Sequence, residues 1–104
     1  EGFALEQVMG VLDAPEAYFW SVHSGAELDL LIFVGGRRVG FEFKFTERPS
    51  VTRSMRSALD TLTLAELWIV NPGDTVYRVD DRVVVCGLSE FPRTWRARES
   101  GSPV

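Results

Sequence analysis

Four charged side chains stand at alternate positions in two apolar stretches: Glu27 and Asp29 in the first, Glu42 and Lys44 in the second. In an extended strand, residues two apart project to the same face. Gly35-Gly36 lies between the stretches and suits a two-residue hairpin turn, because glycine accepts the positive φ such turns require. That turn pairs Val34 with Arg37. Counting back sets Asp29 opposite Glu42 and Glu27 opposite Lys44, so four charged groups meet on one side of one hairpin. Like charges directly opposite one another are destabilising. Facing carboxylates therefore need a cation between them, and carboxylate oxygens are the ligands that hard divalent ions such as Mg²⁺ prefer.

The expectation carries a condition. A loop of two or four residues keeps the four charges together, whereas a loop of three turns Glu42 and Lys44 to the other side. A plainer arrangement is also open, a solvated hairpin face with a cross-strand Glu27–Lys44 pair contributing roughly 0.2–1 kcal/mol. Leu31 and Phe33 fall on the same face as Glu27 and Asp29, so something should cover it, with the first helix the nearest candidate. Carboxylates partly buried there need a cation or a proton.

The elements that must position these residues read as follows. Residues 1–12 carry apolar side chains near helical spacing, and Pro15 blocks continuation. Tyr18 to His23 reads as a strand, Glu27 to Val34 as a second, and Arg38 to Phe45 as a third. In the third strand Val39, Phe41, Phe43 and Phe45 alternate with Gly40, Glu42 and Lys44. Ser50 or Thr52 can cap a helix to about Leu62, with Val51, Met55, Ala58, Leu59 and Leu62 as its stripe. Leu67 to Val70 is wholly apolar, as in a strand buried on both faces. A turn at Asn71-Pro72-Gly73-Asp74 leads to strands at Thr75 to Val79 and Arg82 to Cys86 around Asp80-Asp81, then one helical turn at Leu88 to Phe91.

This α-β-β-β-α-β order with a closing hairpin predicts an α/β fold, a mixed sheet flanked by helices. The third strand, second helix and Leu67 strand form a parallel, right-handed crossover. Residues 1–91 make one domain, and 92–104, rich in Arg, Ser, Gly and Pro, read as a flexible tail. Trp20 and Trp68 sit in predicted strands and belong to the core. Trp95 lies outside the strand pattern, either as a docking residue or as a tail aromatic.

Composition narrows the functions. A net charge of -4 disfavours bulk electrostatic capture of nucleic acid. Arginines still cluster at Arg48, Arg53 and Arg56 and at Arg93, Arg96 and Arg98, as a local basic patch or as solvated side chains. No apolar run is long enough to span a membrane. The lone Cys86 ends an apolar run and has no disulfide partner, which fits a reducing, cytoplasmic setting. Glu1 opens the chain already in helical pattern, so it reads as a piece of a longer protein. There is no phosphate-binding Gly-x-x-x-x-Gly-Lys loop.

Helix glutamate, strand Asp, then Glu-x-Lys on the next strand, in this element order, resembles the PD-(D/E)XK nuclease superfamily. More closely, His23-Ser24-Gly25-Ala26-Glu27-Leu28-Asp29-Leu30 followed by Gly40-Phe41-Glu42-Phe43-Lys44 is similar to a domain of unknown function found C-terminal to an AAA+ ATPase module in many prokaryotic proteins. Glu1-Gly2-Phe3, Ser54 to Leu59 and Asn71 to Asp74 suit that family too, so the resemblance runs to about Phe91.

It implies a restriction-endonuclease-like core, DNA as a partner, and an ATPase domain in the same full-length chain. It also implies Mg²⁺ or Mn²⁺ held by Asp29, Glu42 and Glu1. Lys44 would orient or activate the attacking water, or stabilise developing charge, and Asp29, Glu42 and Lys44 would form the catalytic set. Glu27 and His23 stand beside it as auxiliary residues, His23 being read first as a hydrogen-bonded structural histidine. Leu28 departs from the family's namesake Pro. The other reading is a non-catalytic DNA- or protein-binding module that regulates the attached ATPase.

Overall fold

The computed structural model describes residues 2–12, 17–18, 28–34, 36–46 and 49–99. Helix α1 spans Gly2–Leu12, β1 Ala17–Tyr18, β2 Leu30–Val34, β3 Arg37–Phe43, α2 Arg53–Thr61, β4 Glu66–Asn71, β5 Val76–Asp80 and β6 Val83–Gly87. A single 3₁₀ turn, Leu88–Glu90, leads into α3, Phe91–Glu99. The six strands form one mixed sheet in the order β1-β2-β3-β4-β6-β5. The expected α/β architecture is present.

Local sequence explains the crossover between β3 and β4. Thr52 starts α2, its hydroxyl accepting from the Met55 N–H at 3.2 Å, as a side-chain N-cap does. Met55, Ala58 and Leu59 make the buried stripe. At the other end Leu64 N–H donates to Leu59 O and Thr63 N–H to Asp60 O, the paired bonds of a Schellman cap. Thr63 takes the left-handed position, φ 52°, where glycine is usual. The chain then enters β4 parallel to β3, Phe41 aligned with Trp68 and Phe43 with Val70.

Alternation along the strands sorts the core into two layers. On one face Leu30, Ile32, Val39, Phe41, Phe43, Trp68, Val70, Val84 and Cys86 pack with Val8 of α1 and with Phe91 and Trp95 of α3. On the other, Leu31, Leu67, Ile69, Val83 and Val85 pack with α2 and with Leu28, Leu62 and Leu64. Gly40 belongs to this second face, where a Cβ would stand 2.8 Å from Leu64 and 2.9 Å from Leu28. A side chain there would push the two leucine methyls outward.

Two expectations are corrected. The segment from Pro92 is not a tail as far as Glu99, because it forms α3, with Phe91 0% and Trp95 1% exposed. Trp95 is accordingly core. The final strands pair antiparallel as the expected hairpin, and β6 lies beside β4, extending the parallel part of the sheet to β3, β4 and β6. Finally, the helix over the Glu42 face is α2 rather than α1, whose Val8 lies in the opposite layer. No helix among the described residues is long and apolar enough to cross a membrane.

Candidate functional site

The β2–β3 register is the one an even loop dictates. Val34 pairs with Arg37, and Leu30 with Phe41, where the paired register ends one residue short of Asp29 and Glu42. The ladder changes character there. β2 begins at Leu30, and Asp29 sits in a bend with its N–H donating to Phe41 O at 3.1 Å. The Asp29 carboxylate takes over the role of a strand carbonyl, Oδ2 accepting the Phe43 N–H at 2.7 Å. That nitrogen is the peptide link between Glu42 and Phe43. The bond therefore fixes one carboxylate against the backbone that carries the other.

Because of this bend the strict alternation expected from residue 27 stops at Leu30. Leu28 packs on the α2 side while Leu30 packs on the other, which an unbroken strand would not allow. The predicted position of Glu27 opposite Lys44 falls outside the described residues, as do Glu1, His23 and Trp20.

Glu42 follows the β3 alternation onto the α2 face and is 7% exposed. Its Oε2 lies 3.8 Å from Lys44 Nζ, whose side chain is 40% exposed. Lys44 has left the strand, yet its N–H still donates to Val70 O of β4 at 2.9 Å. The Asp29 carboxylate thus lies against the Phe43 N–H, and the Glu42–Lys44 pair lies beside it at the carboxyl end of β3, which in open α/β sheets is the end near which ligands usually bind.

The sequence reading missed two features of this edge. Asn71, taken as the first residue of a turn, is the other buried polar residue among those described, 3% exposed at the end of β4. Its Oδ1 accepts the Gly73 N–H at 2.8 Å. An Asn that closes an apolar strand before Pro-Gly was the available signal. Beyond it an open depression of about 370 Å³ is lined by Pro72, Gly73, Asp74 and Ser89. The second feature is Phe45. Alternation put it inward with Phe43, but β3 ends at Phe43 and Phe45 is 70% exposed.

Three of the six clustered arginines form ion pairs. Arg56 binds Asp80 at 2.5 Å, and this contact, with a stronger contribution from the Arg82 N–H, lowers the Asp80 carboxyl below its ordinary 3.8. Arg93 pairs with Glu90, and Arg98 with Glu66. Arg48 lies outside the described residues. Burial pushes the Cys86 thiol up to about 11, so it stays neutral and is a poor nucleophile.

Among the described residues no group of three or more His, Cys, Asp or Glu side chains is placed to hold a metal ion. Two carboxylates still suit Mg²⁺, which is commonly held by one or two carboxylates with waters and substrate phosphates.

Two curated relatives, from Mycobacterium bovis and Mycobacterium tuberculosis, are each 49% identical over 94 residues, 90% of this chain. Both are described as uncharacterized proteins, Mb2031c and Rv2008c. The chain spans about a fifth of their length, 21%. No solved structure matches it. Residues 1–91 match the model of a domain of unknown function, DUF4143, and the chain belongs to that family.

Proposed function

We propose that this is a nuclease-like domain of the PD-(D/E)XK type, hydrolysing or gripping DNA phosphodiesters with Mg²⁺ or Mn²⁺ at Asp29 and Glu42. The observation that carries the reading is the 2.7 Å bond from the Phe43 N–H to Asp29, which locks one carboxylate beside the Glu42–Lys44 segment. Metal sites need such outer bonds to orient their ligands. When bound, a divalent ion polarises a phosphate oxygen and acidifies a water. Asp29 and Glu42 supply the hard oxygen donors. Lys44, paired loosely with Glu42 and partly in solvent, can turn its ammonium to an anionic oxygen whose charge grows during reaction. By the same resemblance Glu1 would add a carboxylate, and an AAA+ ATPase module would occupy part of the longer chain.

The test is plasmid nicking with Mn²⁺, wild type against Lys44→Ala. Loss of nicking in the variant supports the assignment, and equal activity in both means a contaminating enzyme. Calorimetric titration with Mn²⁺ should show binding to the wild type and none to Asp29→Ala. Absence of wild-type binding at millimolar Mn²⁺ defeats catalysis at this site.

A second reading, a non-catalytic DNA- or protein-binding module that regulates the attached ATPase, draws on the 7% exposure of Glu42 and on the small share of its relatives that this chain covers. It expects a silent metal titration, together with altered ATPase activity when the domain is removed from the full-length protein.

A further inference from the structure

We infer that Phe45 is a base-stacking residue of the candidate site, and that the site takes an unpaired nucleotide rather than the interior of a duplex. The inference rests on the phosphodiester reading above and specifies the form of its substrate. A single exposed apolar side chain is ordinary on a protein surface. What distinguishes Phe45 is its position. The other large hydrophobic side chain exposed among the described residues, Val79, is 41% exposed and lies at an irregularity of the edge strand β5. Phe45, at 70%, directly follows Lys44.

The backbone leading to it is held at two consecutive residues, Phe43 by the Asp29 carboxylate and Lys44 by Val70 O. The chain bends at Phe45 and Thr46. Consecutive Cα atoms are about 3.8 Å apart, so the ring is anchored one residue from the ammonium. The pair offers a cation for a phosphate and an aromatic face for a base.

A flat ring recognises any base through its π face, which is how single strands are gripped without sequence preference. Inside a duplex both faces of each base are covered by its neighbours. Phe45 can therefore stack only on a base in a single strand, at a frayed end or in a gap. The alternative occupant is apolar surface from the remainder of the longer chain, in which case oligonucleotide binding would ignore the ring.

The experiment measures binding of fluorescein-labelled single-stranded and duplex oligonucleotides by anisotropy, in Ca²⁺ as a carboxylate-bound divalent ion, for wild type, Phe45→Ala, Phe45→Trp and Lys44→Ala. Phe45→Ala should lose about 5- to 150-fold in affinity for the single strand, the range seen when a stacking aromatic is truncated. Its thermal midpoint should be unchanged. Phe45→Trp should restore binding, and its indole fluorescence should be quenched by the single strand. Equal single-strand affinity in wild type and Phe45→Ala, or equal losses on single strand and duplex, overturns the stacking role while leaving the site intact. Failure of the wild type to bind either oligonucleotide overturns the stacking role and the nucleic-acid reading together.

Discussion

Strand β3 presents Phe41 and Phe43 to one side of the sheet and Glu42 to the other, and the two sides handle charge differently. On the first, the rings of Phe41, Trp68, Phe91 and Trp95 lie with centroids 5.2 to 6.4 Å apart. The ion pair there is closed. Arg98 Nε meets Glu66 Oε1 at 2.5 Å, the Trp68 indole N–H donates to the same oxygen at 3.0 Å, and the guanidinium lies 4.5 Å from the Trp95 ring. On the second side the Lys44–Glu42 pair is open, at 3.8 Å with the lysine 40% exposed. A pair that only holds structure gains from closure. One that must exchange partners for a ligand has to keep a side in water.

The largest expected effect lies on the closed side. Trp95→Ala should cost about 3–5 kcal/mol in urea unfolding, the usual range for a large buried aromatic. Ending the chain at residue 91, where the family match stops, removes Trp95 and Arg98 together and should prevent cooperative folding. A cooperative transition in that truncated chain would break the comparison.

Arg98→Met should cost about 3 kcal/mol by the same measurement, the low end for removing one partner of a buried pair. It leaves Glu66 without its guanidinium. It also removes the Arg98 Nη2, which is buried with no hydrogen-bond partner, and that relief keeps the cost low.

Asp29 sharpens the comparison from the other side. Asp29→Ala removes a carboxylate acceptor from the Phe43 N–H and should cost about 1.5–3 kcal/mol. Asp29→Asn keeps a side-chain oxygen for that bond and should recover most of the stability. The asparagine variant should still fail to bind Mn²⁺ in calorimetry, separating the structural bond from the charge.

How far the sequence revealed these two sides differs in an instructive way. The β3–α2–β4 crossover was readable because each part has its own local cause: alternation in β3, a Thr cap on α2, and an apolar run in β4. Turn parity gave the β2–β3 register from Val34–Arg37 to Leu30–Phe41 in the same way. Helix α3 was hidden by composition, since Pro92 and the arginines resemble a solvated tail. Proline is nevertheless tolerated in the first turn of a helix, and Phe91 and Trp95, four residues apart, share one helical face. The bend at Asp29 had no pattern to betray it, because it arises where a side chain replaces a main-chain acceptor across the hairpin. Phe45 was misplaced for a related reason, as alternation carries no mark of where pairing stops.

The smallest effect on stability is expected at Lys44, and it bears most directly on function. If the Lys44–Glu42 pair resembled Arg98–Glu66, Lys44→Met would leave a buried carboxylate without compensation and cost several kcal/mol. Its geometry argues otherwise. At 3.8 Å the pair is beyond hydrogen-bond length, and the lysine pays little desolvation because water reaches it. Water screens the lysine end even though the Glu42 side chain is 9% exposed, and pairs so screened contribute about 0.2–1 kcal/mol. Lys44→Met should therefore unfold within about 1 kcal/mol of wild type in urea, while losing Mn²⁺-dependent nicking. A cost near that of Arg98→Met would make Lys44 a structural counterion, and the open side of the sheet would then be a second closed one.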